Sequence, residues 1–246
     1  MKVLVITPTY GRIPYLGRAV ASFLAQDYPD KHMVIINDDK NITLTCDIPS
    51  ITIINVNRKL WLDEKRNMGV MAGNQEIIMP YDDDDVMLPT RISNHVAQHK
   101  LNGVPAIFYP NQYMIYGNEF KTTDNSPPNS ISFTRDEYYR VGGYGYYIRN
   151  SSGDRAFYNK LNITKMEGPL DFVYMFGGIN YHVSGAKDET IEKKAYEQLK
   201  SLKLLGGTYD IKPNFPQYKF VADMASEWNG KIILVKHEGD CRMTRL

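Results

Sequence analysis

The stretch Glu76-Ile77-Ile78-Met79-Pro80-Tyr81-Asp82-Asp83-Asp84-Asp85 runs from an apolar segment straight into four consecutive carboxylates, and few folds accommodate both halves. The apolar half suits a buried strand. Carboxylates held within about 4–6 Å of one another repel and raise each other's pKa, so the acidic half is costly unless a cation or hydrogen-bond donors sit among them. A hard divalent ion with oxygen ligands is the simplest partner, meaning Mg2+ or Mn2+ in a site that also takes substrate phosphates. Ligands of open α/β sheets collect beyond the carboxyl ends of strands, which is where this run falls. The same residues also read as a solvated acidic turn ahead of a helix starting near Pro89. Charge pattern alone leaves both readings open.

The preceding chain supplies the rest of such a sheet. Val3 to Ile6 is an aliphatic, β-branched run ended by Pro8, and suits a buried parallel strand. After the loop Thr7-Pro8-Thr9-Tyr10-Gly11-Arg12, residues Leu16, Ala19, Val20, Phe23 and Leu24 recur at helical spacing up to Tyr28-Pro29. Met33 to Ile36 forms a second strand ending in Asn37-Asp38-Asp39, and Ile51 to Val56 a third. Lys65 to Ala72 forms a helix that delivers the chain to the Ile77 strand. Alternating β and α elements over the first 100 residues imply a doubly wound, mainly parallel α/β sheet whose strand ends bring their polar residues to one edge. The first loop has neither the Gly-rich turn with Lys and Ser/Thr of a phosphate-cradling P-loop nor the spaced glycines of a dinucleotide fold. It offers a backbone edge and an aromatic ring, which suit a flat base; a structural turn with Tyr10 in the core is the plainer reading.

With 29 basic and 28 acidic residues among 246 there is no global pull toward nucleic acid or membrane. Cys46 and Cys241 fit no metal or redox spacing, which points to reduced thiols and a cytoplasmic site. The apolar start Met1 to Ile6 is too short for a signal peptide, and no run reaches the roughly 18 apolar residues of a membrane span.

Five segments in order, Val5-Ile6-Thr7-Pro8-Thr9-Tyr10-Gly11-Arg12, Ile35-Ile36-Asn37-Asp38-Asp39, Arg66-Asn67-Met68-Gly69, Ala72-Gly73 and Ile77 to Asp85, resemble the motifs of the family 2 glycosyltransferases, which have the GT-A fold. The resemblance continues through Phe133-Thr134-Arg135, Val141-Gly142-Gly143-Tyr144, Gly153-Asp154 and His182, and so covers residues 1–185. It implies a nucleoside-diphosphate sugar, such as a UDP-sugar, lying across the first half of a mixed sheet flanked by helices. Pro8, Thr9, Tyr10 and Asp39 would hold the base, Arg66 would lie near the nucleotide, and Asp83 would bond the ribose. Asp84 would meet the Mn2+ or Mg2+ ion on the diphosphate, joined by His182. If strand geometry persists, Asp82 and Asp84 point to one side and Asp83 to the other. Asp154 would be the catalytic base; family members usually carry Glu-Asp there, and this chain has Gly153 in place of the Glu.

The middle and end of the chain are less patterned. Val104 to Tyr109 and Gln112 to Tyr116 read as short strands, and Lys121 to Asn129 as a polar loop suited to a lid or acceptor site. Ser130 to Arg135 enters a strand, Asp136 to Arg140 a short helix, and Gly142-Gly143 a tight turn. The Gly- and Tyr-rich segment Tyr144 to Ile148 is where sugar rings would stack, unless its tyrosines are ordinary surface residues. By local sequence Asp154 is an N-cap ahead of a helix over Arg155 to Leu161, and His182 is a packed or surface histidine in an alternating strand, Ile179 to Ser184. Asp188 to Leu205 has a helical period closed by Gly206-Gly207, and a helical turn near Ala222 to Trp228 precedes a strand at Ile232 to Val235.

The expected organisation is a transferase domain over residues 1–185, with a nucleotide-binding half (1–100) and an acceptor half (101–185), and a C-terminal helix-and-strand extension (186–246) packed on it. The expected activity is metal-dependent transfer of a sugar to an acceptor hydroxyl with inversion. Glycan, lipid-linked, protein and nucleic-acid acceptors all stay open. The rivals are a catalytically silent sugar-nucleotide or glycan-binding module and a sugar nucleotidyltransferase of related fold. The second needs a Gly-rich basic loop after strand one, where this chain has Pro8-Thr9-Tyr10.

Overall fold

The computed structural model describes residues 1–10, 13–46, 48–110, 112–116, 119–123, 128–145, 153–176, 232–237 and 240–245. In chain order the elements are β1 (Val3–Thr9), α1 (Ile13–Leu24), β2 (Lys31–Asn37), β3 (Ile42–Leu44), β4 (Ile51–Asn55), α2 (Leu62–Met71), β5 (Ile77–Pro80), β6 (Val86–Met87) and α3 (Arg91–Asn102). There follow β7 (Ala106–Phe108), β8 (Gln112–Tyr116), β9 (Glu119–Thr123), β10 (Ile131–Thr134), α4 (Arg135–Arg140), α5 (Gly153–Tyr158), β11 (Ile163–Lys165), β12 (Phe172–Phe176), β13 (Ile232–His237) and β14 (Asp240–Arg245).

Seven strands form the main sheet in the order β11-β7-β10-β5-β1-β2-β4. β4, β2, β1 and β5 run parallel, β10 lies antiparallel to both neighbours, and β11 is again parallel to β7. The sheet is therefore mixed and mainly parallel in its first half, as the alternation of elements implies. Successive strand residues split between two cores, because side chains alternate across a strand. Val3, Val5, Met33, Ile35, Ile77 and Met79 pack with α1 and with Ile92 and Val96 of α3. Leu4, Ile6, Val34, Ile36 and Ile78 pack on the other face with Val70, Phe133, Tyr138 and Phe157. Helices on both faces explain why the four parallel strands read as unbroken apolar runs. Among the described residues no helix is long and apolar enough to cross a membrane.

Two local features open a crevice at the carboxyl end of β1. β5 stops at Pro80, opposite Ile6, while β1 continues to Thr9 paired with β2 alone. The last bond on the β5 side is Tyr81 N–H to the Ile6 carbonyl, 2.9 Å. Beyond it one flank of β1 is an edge, so Pro8, which has no N–H, sits inside the strand at no cost to the β5 side of the ladder. This corrects the expectation that Pro8 ends the strand. The crevice lies where the connections reverse direction, from β2 and β4 on one side of β1 to β5 on the other, as in other doubly wound sheets.

Helix α2 starts at Leu62, three residues before the expected Lys65. Glu64 accepts from the Trp61 N–H at 2.8 Å, and Asp63 and Glu64 place negative charge in the first turn. α2 lies close on the sheet because Gly69 has no side chain: a Cβ there would come within 2.8 Å of Ile36 Cδ1 and 2.9 Å of Ile6 Cγ2. Gly142 and Gly143 make the expected turn with φ of 80° and 73°.

A four-stranded sheet, β6-β12-β8-β9, adjoins the end of the acidic run. Residues 121–123 lie in β9, antiparallel to β8, so the expected polar loop is shorter than its composition suggests: Lys121 to Thr123 satisfy their backbone in a ladder. β6 and β12 are not among the expected strands, although the aromatic and β-branched composition of β12 suits one. The expected strand at Ile232 to Val235 falls in β13, whose partner β14 runs parallel to β3. The expected elements at 179–184, 188–205 and 222–228 lie outside the described residues.

Candidate active site

The carboxylate run caps the crevice beside β1. Asp82, Asp84 and Asp85 each bring a carboxylate oxygen to within 4.8 Å of the others. Asp83 turns instead to β1, where the Thr9 hydroxyl donates to its Oδ2 at 2.6 Å. The turn is braced through its backbone: the Arg18 guanidinium on α1 donates to the Asp84 carbonyl at 2.6 Å, and the Tyr81 hydroxyl to the Asp85 carbonyl at 2.9 Å. Three of the four side chains, Asp83, Asp84 and Asp85, are fully buried. Such a cluster is not the solvated acidic turn of the plainer reading.

Donors already reach into it. The Asn129 side-chain N–H groups donate to Asp82 Oδ2 at 2.6 Å and Asp85 Oδ2 at 3.2 Å. Arg66 of α2, almost wholly buried, donates to Asp82 Oδ1 at 3.4 Å and pairs at 3.8 Å with Asp154 Oδ2 on α5. The one guanidinium thus stands between the acidic cluster and the expected base. Burial opposes its charge, yet the net effect of the groups around it, Tyr158, Asp82, Tyr144 and Asp154, holds the proton more firmly. Asp63, one helical turn earlier, belongs to the same set. Burial raises its carboxyl, Arg66 pulls it back down and Asp154 pushes it up.

Asp154 lies inside the first turn of α5, which begins at Gly153, so the N-cap reading does not hold. Its Oδ1 still accepts the Arg155 N–H at 2.7 Å, and the carboxylate is about one-fifth exposed. The segment after Arg66 explains the neighbouring motif. Asn67 accepts from the Tyr138 hydroxyl and the Tyr144 N–H and donates to the Tyr144 carbonyl, at 2.7, 2.9 and 2.8 Å, tying α2 to the double-glycine turn. Tyr144 is buried, stacked on Phe157 at 3.9 Å between centroids, with the Arg66 guanidinium 5.6 Å from its ring centre. It is a core residue that shields Arg66, and the expectation that it stacks on sugar is withdrawn; residues 146–148 lie outside the described residues.

At the end of β2, Asp38 is the structural acid. It accepts from Leu60 N–H at 2.7 Å and from the buried Lys65 ammonium at 2.5 Å, while Lys65 also donates to the Thr9 carbonyl at 3.0 Å. Burial pulls Lys65 below the usual lysine range, and Asp38 and Asp83 work against it. Asp39 is half-buried, and its Oδ1 accepts only a local turn bond from Asn41 N–H, 3.0 Å, among the bonds described. Pro8 and Thr9 are buried in β1, and the Tyr10 ring carries the Lys59 ammonium 3.4 Å from its centre. The structure therefore gathers Thr9, Arg66, Asp83, Asp84 and Asp154 around one crevice with Tyr10 and Asp39 near its rim; His182 lies outside the described residues. Asn129 and Asp63 were not singled out from sequence, and neither carries a local signal: Asn129 follows two prolines, and Asp63 looks like an ordinary first-turn acid.

Comparison with known proteins bears on the fold and the family. The Escherichia coli (strain K12) protein named colanic acid biosynthesis glycosyl transferase WcaA is 28% identical over 163 residues, 63% of this chain and 56% of its own length. S. aureus TarS 1-349 in complex with UDP-GlcNAc superposes with a TM-score of 0.61 at 13% identity, over 93% of this chain and 72% of its own. The mannosyltransferase PcManGT from Pyrobaculum calidifontis in complex with GDP-Man and Mn2+ gives 0.56 at 15% identity, over 92% and 69%. The chain spans little more than half the length of WcaA and 43% of the longer TarS chain. These structural likenesses fix the GT-A fold. Residues 4–161 match the family described as Glycosyl transferase family 2, and the chain belongs to that family.

Proposed function

We propose that the protein transfers a sugar from a nucleoside-diphosphate sugar to an acceptor hydroxyl, with inversion and with a divalent cation, in the cytoplasm. The observation that carries the reading is the convergence of Asp82, Asp84 and Asp85 at the switch point of the sheet, with Asp154 across Arg66 from them. The donor set suits a hard cation. Octahedral Mg2+ with oxygens at about 2.0–2.1 Å has ligands about 2.9 to 4.2 Å apart, and the three carboxylate oxygens lie within 4.8 Å of one another. Asp84 with Asp82 and Asp85 would hold the ion, and His182 is proposed to join them. The chemistry such an ion supplies when bound is Lewis-acid stabilisation of the charge that develops on the departing diphosphate.

The remaining work falls to the chain itself. Pro8, Thr9, Tyr10 and Asp39 hold the base at the ends of β1 and β2, and Asp83, fixed by Thr9, faces the ribose. Asp154 takes the proton of the acceptor hydroxyl as its oxygen bonds the anomeric carbon and the bond to the diphosphate oxygen breaks on the opposite face. Arg66 holds the Asp154 carboxylate and offsets its repulsion from the acidic cluster. Donor types found with the structural relatives, UDP-GlcNAc and GDP-Man, define the first panel to screen. Calorimetry of UDP and GDP with Mn2+ and with excess chelator tests the reading. Binding should need the ion and be lost in Asp84→Asn; equal affinity with chelator removes the metal from the mechanism.

A further inference from the structure

We propose that the Asn129 side-chain amide, which reaches into the acidic cluster, supplies an oxygen ligand to the divalent cation; the proposal rests on the metal-dependent reading above. Asn129 lies in the single turn Pro128–Ser130 ahead of β10 and is 2% exposed. Its Nδ2 enters the acidic cluster between Asp82 and Asp85, whereas its Oδ1 is buried and accepts no hydrogen bond among the described residues. A buried carbonyl oxygen without a donor is costly. The arrangement makes sense if the orientation seen is one of two. With Nδ2 toward the cluster, its N–H dipoles offset the repulsion between the carboxylates. With an ion, N–H groups cannot remain pointed at it.

Rotation of the amide about Cβ–Cγ exchanges oxygen and nitrogen almost in place, since the two ends of the group are alike in size and shape. It would bring Oδ1 to the present Nδ2 position, 2.6 Å from Asp82 Oδ2 and 3.2 Å from Asp85 Oδ2. Adjacent oxygens of an octahedral Mg2+ site are about 2.9 Å apart, a spacing those two distances bracket. In turning, the oxygen gives up no hydrogen bond, and the two that Nδ2 gives up to Asp82 and Asp85 are replaced by the cation's attraction for the same carboxylates. The backbone beneath is held rigidly, as a ligand requires. The Arg91 guanidinium donates to the Asn129 carbonyl, Arg91 pairs with Asp171 at 3.4 Å with both side chains fully buried, and Asn94 donates to Asp171 at 3.0 Å. One χ angle is thus left to move.

If the amide were only a stand-in for the ion, its removal would free the carboxylates and Mn2+ would bind the variant as well or better. If it is a ligand, Asn129→Leu, which keeps the bulk and loses the oxygen, should weaken Mn2+ binding about tenfold or more, as loss of metal-site partners does. Calorimetric titration of Mn2+ alone into parent and variant decides between these, with circular dichroism confirming that both are folded. A parent that binds no Mn2+ overturns the metal reading and this proposal together. A parent that binds while the variant binds equally or more tightly overturns this proposal alone. A measurement on the parent removes dependence on the variant's folding: pulsed EPR of Mn2+ bound to protein carrying 13C only in asparagine side-chain carbonyls should show a strongly coupled carbon, and its absence overturns the assignment.

Discussion

Asp154→Asn separates a structural from a catalytic carboxylate, because the structure lets each loss be sized. The amide keeps an oxygen for the Arg155 N–H and loses the charge that faces Arg66 at 3.8 Å. At an effective dielectric of 20 that pair is worth about 4 kcal/mol before desolvation. Asp154 is about one-fifth exposed and Arg66 keeps Asp82 at 3.4 Å, so most of this cancels and about 1 kcal/mol of stability remains to be lost. For a chain of this size that lowers Tm by roughly 2–4 °C. Loss of a general base is a different order of effect, about 10²–10⁴ in turnover, or roughly 3–5 kcal/mol on the barrier. The assay measures transfer rate and donor Kd side by side, with a donor chosen by thermal stabilisation in Mn2+. Donor Kd should stay within about twofold, since a base meets the acceptor and not the donor. Asp63→Asn is the matched control, being a buried carboxylate beside the same arginine. A variant of Asp154 that retains more than about a tenth of the parent rate refutes the base assignment, and loss of transfer in Asp63→Asn alone moves it to Asp63.

Gly69→Ala gains about 1 kcal/mol of helix propensity but must push a methyl against Ile36 and the branch of Ile6, which costs about 1–3 kcal/mol; a net fall in Tm is expected by calorimetry, and a rise would show that α2 can lift from the sheet. Asp39→Ala should weaken UDP or GDP binding and leave cooperative unfolding intact, because the side chain holds only a local turn bond; loss of cooperativity would mark it as structural. Acid should destabilise the fold through His95 and His99. Burial holds both below the usual histidine value, with Arg91 and His99 adding to the effect on His95 and the Val104 carbonyl opposing it on His99. The unfolded chain therefore takes up protons first: stability is complete above about pH 6.5 and falls as the pH drops, by up to about 1.4 kcal/mol per pH unit for each histidine. Urea midpoints at pH 7.5 and 5.5 measure this, and a slope unchanged in His95→Gln would assign it elsewhere.

What the sequence discloses depends on how far apart the partners lie. The parallel half of the sheet was legible because each strand is one apolar run, and the carboxylates stood out because four neighbours in sequence stay neighbours in space. The end of β1 was misjudged at Pro8 because the exemption for proline comes from β5, which stops early about 70 residues later. Tyr144 was misjudged because a tyrosine in a glycine-rich stretch gives no sign of the Phe157 and Arg66 that bury it. Asp63 gave no sign either, since its distinction is the charge of Asp154, which α5 brings to it.

The same reasoning explains why Asn129 was invisible and why the site is stiff. Its side chain meets Asp82 and Asp85 across more than 40 residues of sequence, and its backbone is held by Arg91, whose own partner Asp171 is 80 residues further on. A fully buried Arg–Asp pair adds little net stability, because desolvation offsets the attraction. Removing one member alone is a different matter, costing about 3–5 kcal/mol by stranding the other. The pair therefore does more to fix position than to add stability. It joins α3 to the segment ahead of β12 and carries the turn that points an amide at the acidic cluster. On the opposite side Arg66 and Asn67 do the same for α2, α5 and the double-glycine turn. The acidic cluster thus meets Arg66 through Asp82 on one side and, on the other, the Asn129 amide whose backbone Arg91 holds, and both arginines are bonded to other elements. Under the proposed function, a cation among these carboxylates would relieve their mutual repulsion.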